Sequence, residues 1–277
     1  MTRLFITICC FLTAVAAHGK TLETITERGA LVACLAEIDP DLVHLSADGV
    51  WSGLVVEEVA EFASHLAVDP VFVAVEWHEQ FVESAGEPAL LANGTCDLFA
   101  ANLTRLGWRE EIMTIVPLVE NRMIVLARED LDPPIQTVND LAGRTVSVED
   151  KSSFHMWLDE ANRGRFSENP VVIHLDGEDP MEAVARGSAD FAMTDADIAV
   201  LTIRTRHPHL LAVFSVGPVQ EIGWGVSKSS GALQRVLATY FGEQRDSRLS
   251  AFNAIWRRYL GLTIKEFEDL VRALPQQ

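Results

Sequence analysis

The stretch Asp97-Leu98-Phe99-Ala100-Ala101-Asn102-Leu103-Thr104-Arg105-Leu106-Gly107-Trp108-Arg109 decides how this chain is read. An apolar run suited to a buried strand passes directly into a polar loop that carries Arg109. A second apolar run, Ala189-Asp190-Phe191-Ala192-Met193-Thr194-Asp195, lies far downstream and also ends on a charge, an acid. Ligands of open α/β sheets sit outside the ends of strands. An arginine at one such end can take a carboxylate on two parallel N–H groups, and an aspartate at another can take an ammonium. Together they suggest a clamp for a zwitterion. Arg109 also has a plainer reading, as a helix cap or as the ion-pair partner of Glu110 and Glu111.

Outward from these two stretches, strand and helix patterns alternate. Leu31 to Ala36 is a short apolar run ending at Glu37, and Gly53 precedes an amphipathic segment from Val55 to Leu66. Val71 to Val75 reads as a buried strand, Ala89 to Ala92 as a helix stopped by Asn93-Gly94, and Leu98 to Ala101 as the next strand. The pattern restarts with a strand at Arg122 to Ala127, a turn at Asp132-Pro133-Pro134 and a short helix from Val138 closed by Gly143. Then follow a strand at Thr145 to Val148, the turn Asp150 to Ser153, and a helix through Trp157 and Leu158. Val171 to Leu175, a helix from Met181 to Arg186 and Phe191 to Thr194 complete a second α/β unit. After Pro218 come a short strand at Trp224 to Val226 and helices at Leu233 to Phe241 and Leu249 to Leu260. In the last of these Phe252, Ile255, Trp256 and Leu260 have core spacing.

Composition narrows the function classes. Arg3, an apolar Leu4 to Val15 and the small-x-small tripeptide Ala14-Val15-Ala16 read as a secretory leader over residues 1–17, so the mature chain is expected in the periplasm. The formal charge of -18 becomes about -19 once Arg3 is removed, which disfavours nucleic acid and anionic lipid as partners. Of four cysteines, Cys9 and Cys10 fall in the leader, leaving Cys34 and Cys96. If Glu37 and Asn102 end neighbouring parallel strands at one level, Cys34 lies opposite Phe99 and Cys96 about 10 Å further down, so both thiols are expected free and buried. No metal-ligand spacing is present, and His207-Pro208-His209 reads as a surface turn. Walker, GxGxxG and GxSxG patterns are absent, Gly223-Trp224-Gly225 being incomplete. No cofactor is expected.

Five spaced matches make the chain resemble the family 3 periplasmic solute-binding proteins, the polar amino-acid receptors of ABC importers. They are Asn93 to Asp97, Thr104 with Arg109, Val138 to Gly143, Asp190 to Asp195, and Trp256 to Gly261. The resemblance implies an α/β fold of two lobes, each a mostly parallel sheet flanked by helices, with the ligand in the cleft between them. The first lobe would span residues 18–118, the second 119–217, and residues 218–277 would return to the first. Crossovers would lie near Leu118 to Met123 and Phe214 to Gln220. By the same resemblance Arg109 would hold an α-carboxylate with Thr104 and Ser153. Asp195 and the Asn102 carbonyl would hold an α-ammonium, Trp77 would pack on the ligand, and Glu37 would face its distal end.

The chain departs from the family at Ile115-Val116-Pro117-Leu118, at Pro40 and in an extra stretch from Glu83 to Pro88. It also resembles, around Phe191 to Val213, the receptor-like module of membrane-bound lytic transglycosylase F and the cyclohexadienyl dehydratases. The first of these carries a separate catalytic domain, for which the chain to Gln277 has no room, and the second a glutamate where this chain has Ile198. The expectation is therefore a non-catalytic, monomeric binding protein that passes a small zwitterion or carboxylate to a membrane permease. The competing expectations are an accessory domain that binds a peptidoglycan fragment and a dehydratase-like lyase.

Overall fold

Eight strands form one mixed sheet: β1 (Ala30–Leu35), β2 (Asp69–Ala74), β3 (Leu98–Thr104), β4 (Thr114–Arg128), β5 (Thr145–Ser147), β6 (Val171–Ile173), β7 (Phe191–Asp195) and β8 (Leu210–Val226). The computed structural model describes residues 22–277 except 38, 149–150, 162–163, 165, 174–178 and 276. The expected leader over residues 1–17, with Cys9 and Cys10, lies outside the described residues. So do Asp150 of the expected turn and His174-Leu175 of the expected strand.

The strand order is β6-β5-β7-β4-β8-β3-β1-β2. β2, β1 and β3 pair in parallel at one end, and β6, β5 and β7 at the other, as βαβ connections require. β4 runs antiparallel to β7, β8 runs antiparallel to β3, and the two run antiparallel to each other, so they tie the two halves together. Both expected crossovers fall inside these two strands. Their pairing slips between Val216, opposite Met123, and Gln220, opposite Asn121, where Pro218 has no N–H to give the ladder.

Helices α1 (Leu22–Arg28), α2 (Leu54–His65), α3 (Ala89–Asn93), α4 (Gly107–Ile112), α5 (Ser153–Ala161), α6 (Pro180–Ala185), α7 (Ala196–Thr205), α8 (Gly231–Asp246), α9 (Ala251–Tyr259) and α10 (Ile264–Ala273) flank the sheet. Phe252, Ile255, Trp256 and Leu260 are all buried as their spacing requires, in a core that reaches from α2 to α7. The Thr263/Glu266 capping box starts α10, a helix the periodicity reading had not separated.

Three expectations change. The run from Val71 is the outermost strand, with none of its residues fully buried and Val71 41% exposed. Residues 83–88 make a hairpin, Glu83–Ser84 against Glu87–Pro88, turning on Ala85 and Gly86 with φ of 56° and 85°. Gly223 belongs to β8, where a Cβ would lie 1.9 Å from the Val116 carbonyl oxygen, so its small size serves strand packing.

The cysteines give the fourth correction. Cys34 does lie opposite Phe99, yet Cys34 and Cys96 are joined in a disulfide with Cα atoms 5.6 Å apart. The expectation of free thiols assumed that extended geometry continues below Leu98. Instead β3 begins at Leu98, and the Cys96 N–H donates to the Leu90 carbonyl near the start of α3. That bond folds the segment back over the face of β1 that carries Cys34.

Candidate functional site

Arg109, Thr104, Asn102, Asp195, Ser153 and Trp77 all line one cleft of about 550 Å³, its open mouth included. Ser152, Phe154, Pro180, Met181, Met193, Thr194 and Ile198 complete the lining. Glu37 is not among them. Its carboxylate is exposed, accepts the Leu45 N–H at 2.6 Å and lies 3.5 Å from His44, so the structure places it outside this lining. The chain turns away after Ala36, and the acid at the strand end is spent on its own loop.

Arg109 sits on α4 and is 1% exposed. Its Nη1 donates to the Thr104 carbonyl at 3.1 Å, and its Nη2 to the Lys151 carbonyl at 3.1 Å, just ahead of α5. The guanidinium is boxed by Trp77, Phe81 and Trp108, with ring centroids 5.4, 4.9 and 5.3 Å away. Burial pulls its pKa down to about 10 while Asp195 pushes it up, so it stays a cation at neutral pH. Glu110, one of its expected ion-pair partners, pairs instead with Arg105 at 2.7 Å. Nε of Arg109 is buried and, among the described residues, has no hydrogen-bond partner.

Asp195 ends β7 at the N-cap position of α7, where an aspartate usually accepts the first free N–H groups of the helix. Here it caps nothing. The Ala196 N–H donates to Asn121 Oδ1 at 2.9 Å, and the Ile198 N–H donates to Asp197 Oδ1 at 2.9 Å. Relieved of that task, Asp195 keeps a buried oxygen, Oδ1, without a partner among the described residues. Burial first, and Asp197 second, raise its pKa well above the usual carboxylate range, while Arg109 lowers it.

Asp197 and Asn121 were not legible as site residues. Asp197 is 2% exposed and accepts from Asn121 Nδ2 at 2.8 Å and from Asn102 Nδ2 at 3.0 Å. Asn102 therefore uses its side chain structurally. It takes the left-handed conformation, φ 49°, at a point where β3 bulges against β8, and asparagine tolerates that conformation better than most residues. Asn121 lies between Glu120 and Arg122 in the expected crossover, and no local pattern sets it apart.

Across the cleft Thr104 Oγ1 donates to Ser153 Oγ at 3.4 Å, and Trp108 Nε1 donates to Met156 Sδ at 3.2 Å. Ser152, adjacent to the expected Ser153, accepts the His155 N–H at 3.1 Å and so holds the first turn of α5 in place. The arrangement brings one cation and one carboxylate to a single cavity with donor and acceptor capacity left over. Among the described residues no cluster of His, Cys, Asp or Glu is suited to hold a metal ion.

No family model matches the chain. It is 28% identical over 201 residues to membrane-bound lytic murein transglycosylase F of Desulfosudis oleivorans, a match covering 72% of this chain and 42% of that protein. The chain thus spans well under half of that relative. It is 23% identical over 244 residues to the L-cystine-binding protein TcyJ of Escherichia coli, covering 87% of each. A crystal structure of a mutant of ArgBP from T. maritima superposes with a TM-score of 0.72 at 19% identity, covering 87% of this chain and 99% of that one. These matches bear out the resemblance to family 3 solute-binding proteins and the two-lobed α/β fold it implies.

Proposed function

We propose that this chain is an exported, monomeric solute-binding protein that closes on a small amino-acid-like zwitterion and delivers it to the permease of an ABC importer. The observation that carries the reading is the pair of unspent groups in one cleft, the Asp195 oxygen and the Arg109 Nε–H. A buried charge is stable only when paired, so a ligand offering a carboxylate to Arg109 and an ammonium to Asp195 satisfies both at once. Thr104, Ser153 and the Asn102 carbonyl complete the clamp, and Trp77 packs on both Arg109 and the ligand. The lobes we assign are residues 18–118 with 218–277, and 119–217, hinged where β4 and β8 slip in register.

Export is supported by the leader pattern at the N-terminus and by the Cys34–Cys96 disulfide, a bond that persists in oxidising compartments. Among the described residues no helix is long and apolar enough to cross a membrane. A non-catalytic role is favoured by Ile198, which lines the cavity at the position where the dehydratases carry their glutamate.

The similarity to the transglycosylase favours one second reading, an accessory domain that senses a peptidoglycan fragment. One experiment weighs both. Calorimetry of the wild type and Asp195→Asn against L-amino acids, their deaminated analogues and muropeptides should show the variant losing about 100-fold for an amino acid and much less for its deaminated analogue. Equal losses for the two would sink the zwitterion clamp, and tight binding of muropeptides alone would select the second reading.

A further inference from the structure

From the lining of the cleft we infer that the cavity sorts amino acids by side-chain charge and accepts those with an uncharged, apolar or thioether side chain, with Met181 and Ile198 setting the preference. The inference rests on the amino-acid reading above and adds the chemical class of the ligand's side chain.

Among the described residues the lining holds two charged side chains, Arg109 and Asp195, and a zwitterion's backbone uses both. What remains for the side chain is Trp77, Phe154, Pro180, Met181, Met193 and Ile198, with hydroxyls and the uncharged Asn102 as the other polar partners. Met181, Met193 and Ile198 are 3%, 2% and 5% exposed, so they form a dry wall. Their placement follows from the backbone. Met193 and Asp195 share one face of β7, Ile198 lies about one helical turn after Asp195, and Met181 opens α6. The acid best placed by sequence to answer a basic side chain, Glu37, is committed to Leu45 and His44 outside the cleft.

A guanidinium, an ammonium or a second carboxylate pressed on this wall would lose its hydration without a counter-charge. Methionine and leucine would instead bury carbon against carbon, and the methionine side chains are adaptable enough to follow either shape. This separates the cavity from those of relatives whose names record arginine or cystine, since cystine carries a second zwitterion at its far end.

Calorimetry of the full chain against L-methionine, L-leucine, L-arginine, L-lysine, L-glutamate and L-cystine tests this. The expected result is binding of methionine and leucine at least about 100-fold tighter than any charged member of the panel. Ile198→Ala should weaken leucine about 10-fold and leave arginine unchanged, while Met181→Glu should raise the relative affinity for arginine and lysine. The milder Ile198 variant keeps the test open if the glutamate variant fails to fold. Tighter binding of arginine, lysine, glutamate or cystine than of leucine would overturn the inference and leave the amino-acid reading standing. No binding by any member of the panel would overturn both.

Discussion

Arg109 and Arg206 both work among carboxylates, and the difference between them separates a site from a strut. Arg206 donates from Nη2 to Asp39 and to Thr202 Oγ1, from Nη1 to Asp179 at 2.7 Å and from Nε to Asp41 at 3.3 Å. Every nitrogen is engaged by the chain, and the cluster ties the loop after β1 to the ends of α6 and α7. Arg109 binds two backbone carbonyls, keeps Nε unspent and faces an aspartate with an unspent oxygen. Residue type and burial do not distinguish a ligand site from structural glue here. Leftover hydrogen-bonding capacity aimed at a cavity does.

The hardest test of that distinction is Arg109→Lys, which keeps the charge and loses the planar fork. It should weaken the ligand about 1000-fold, or ~4 kcal/mol, while the melting temperature stays within a few degrees. Calorimetry with an unchanged affinity would move Arg109 into the structural class. Arg206→Ala should do the opposite. Asp39, whose side chain is fully buried, would lose its counter-charge, and urea unfolding should report a loss of about 3 kcal/mol with affinity altered only a fewfold.

A third expectation concerns pH. Burial raises Asp39 to about 7, outweighing Arg206, and raises Glu58 to about 8, outweighing the hydrogen bond from Trp256. Both groups hold their proton more tightly folded than unfolded. The stability they contribute is therefore complete below their ordinary values of 3.8 and 4.5 and is lost as pH rises through 7 and 8. Glu58→Gln keeps a carbonyl for Trp256 Nε1, now 2.6 Å from Glu58 Oε1, and removes one of these titrations. Unfolding measured at pH 5 and pH 8 should show the wild type losing at least about 2 kcal/mol more than the variant. Equal slopes would mean that Glu58 titrates normally. The smallest effect is expected at Asn102→Gly, where relief of the left-handed backbone offsets part of the lost bond to Asp197, for a net loss of about 1 kcal/mol.

The sequence was most legible where chemistry and periodicity coincide. Strand, helix and turn patterns located nearly every element of the sheet, and Arg109 and Asp195 stood out because one follows an apolar run in a polar loop and the other closes one. Legibility failed at residues whose role depends on a distant partner. Asn121 relieves Asp195 of capping by accepting the N–H of Ala196, 75 positions away, which no local pattern could reveal. Glu37 had the right position in its strand, but the path of the following loop sends it to Leu45. Cys34 had the right register neighbour but Cys96 the wrong distance, since one backbone bond to Leu90 bends the segment that carries it.

Binary pattern and turn residues by themselves determined the α/β class, the two α/β units and the core faces of α2 and α9, because side-chain burial along one element is a local property with a period of its own. They also singled out which charges end up at strand ends. Tertiary structure alone decided which of those charges keep a free donor or acceptor, whether two cysteines meet, and what wall faces the clamp. Each of these depends on groups brought together across tens to over a hundred residues, where a bend of one or two positions changes the partner and hence the chemistry.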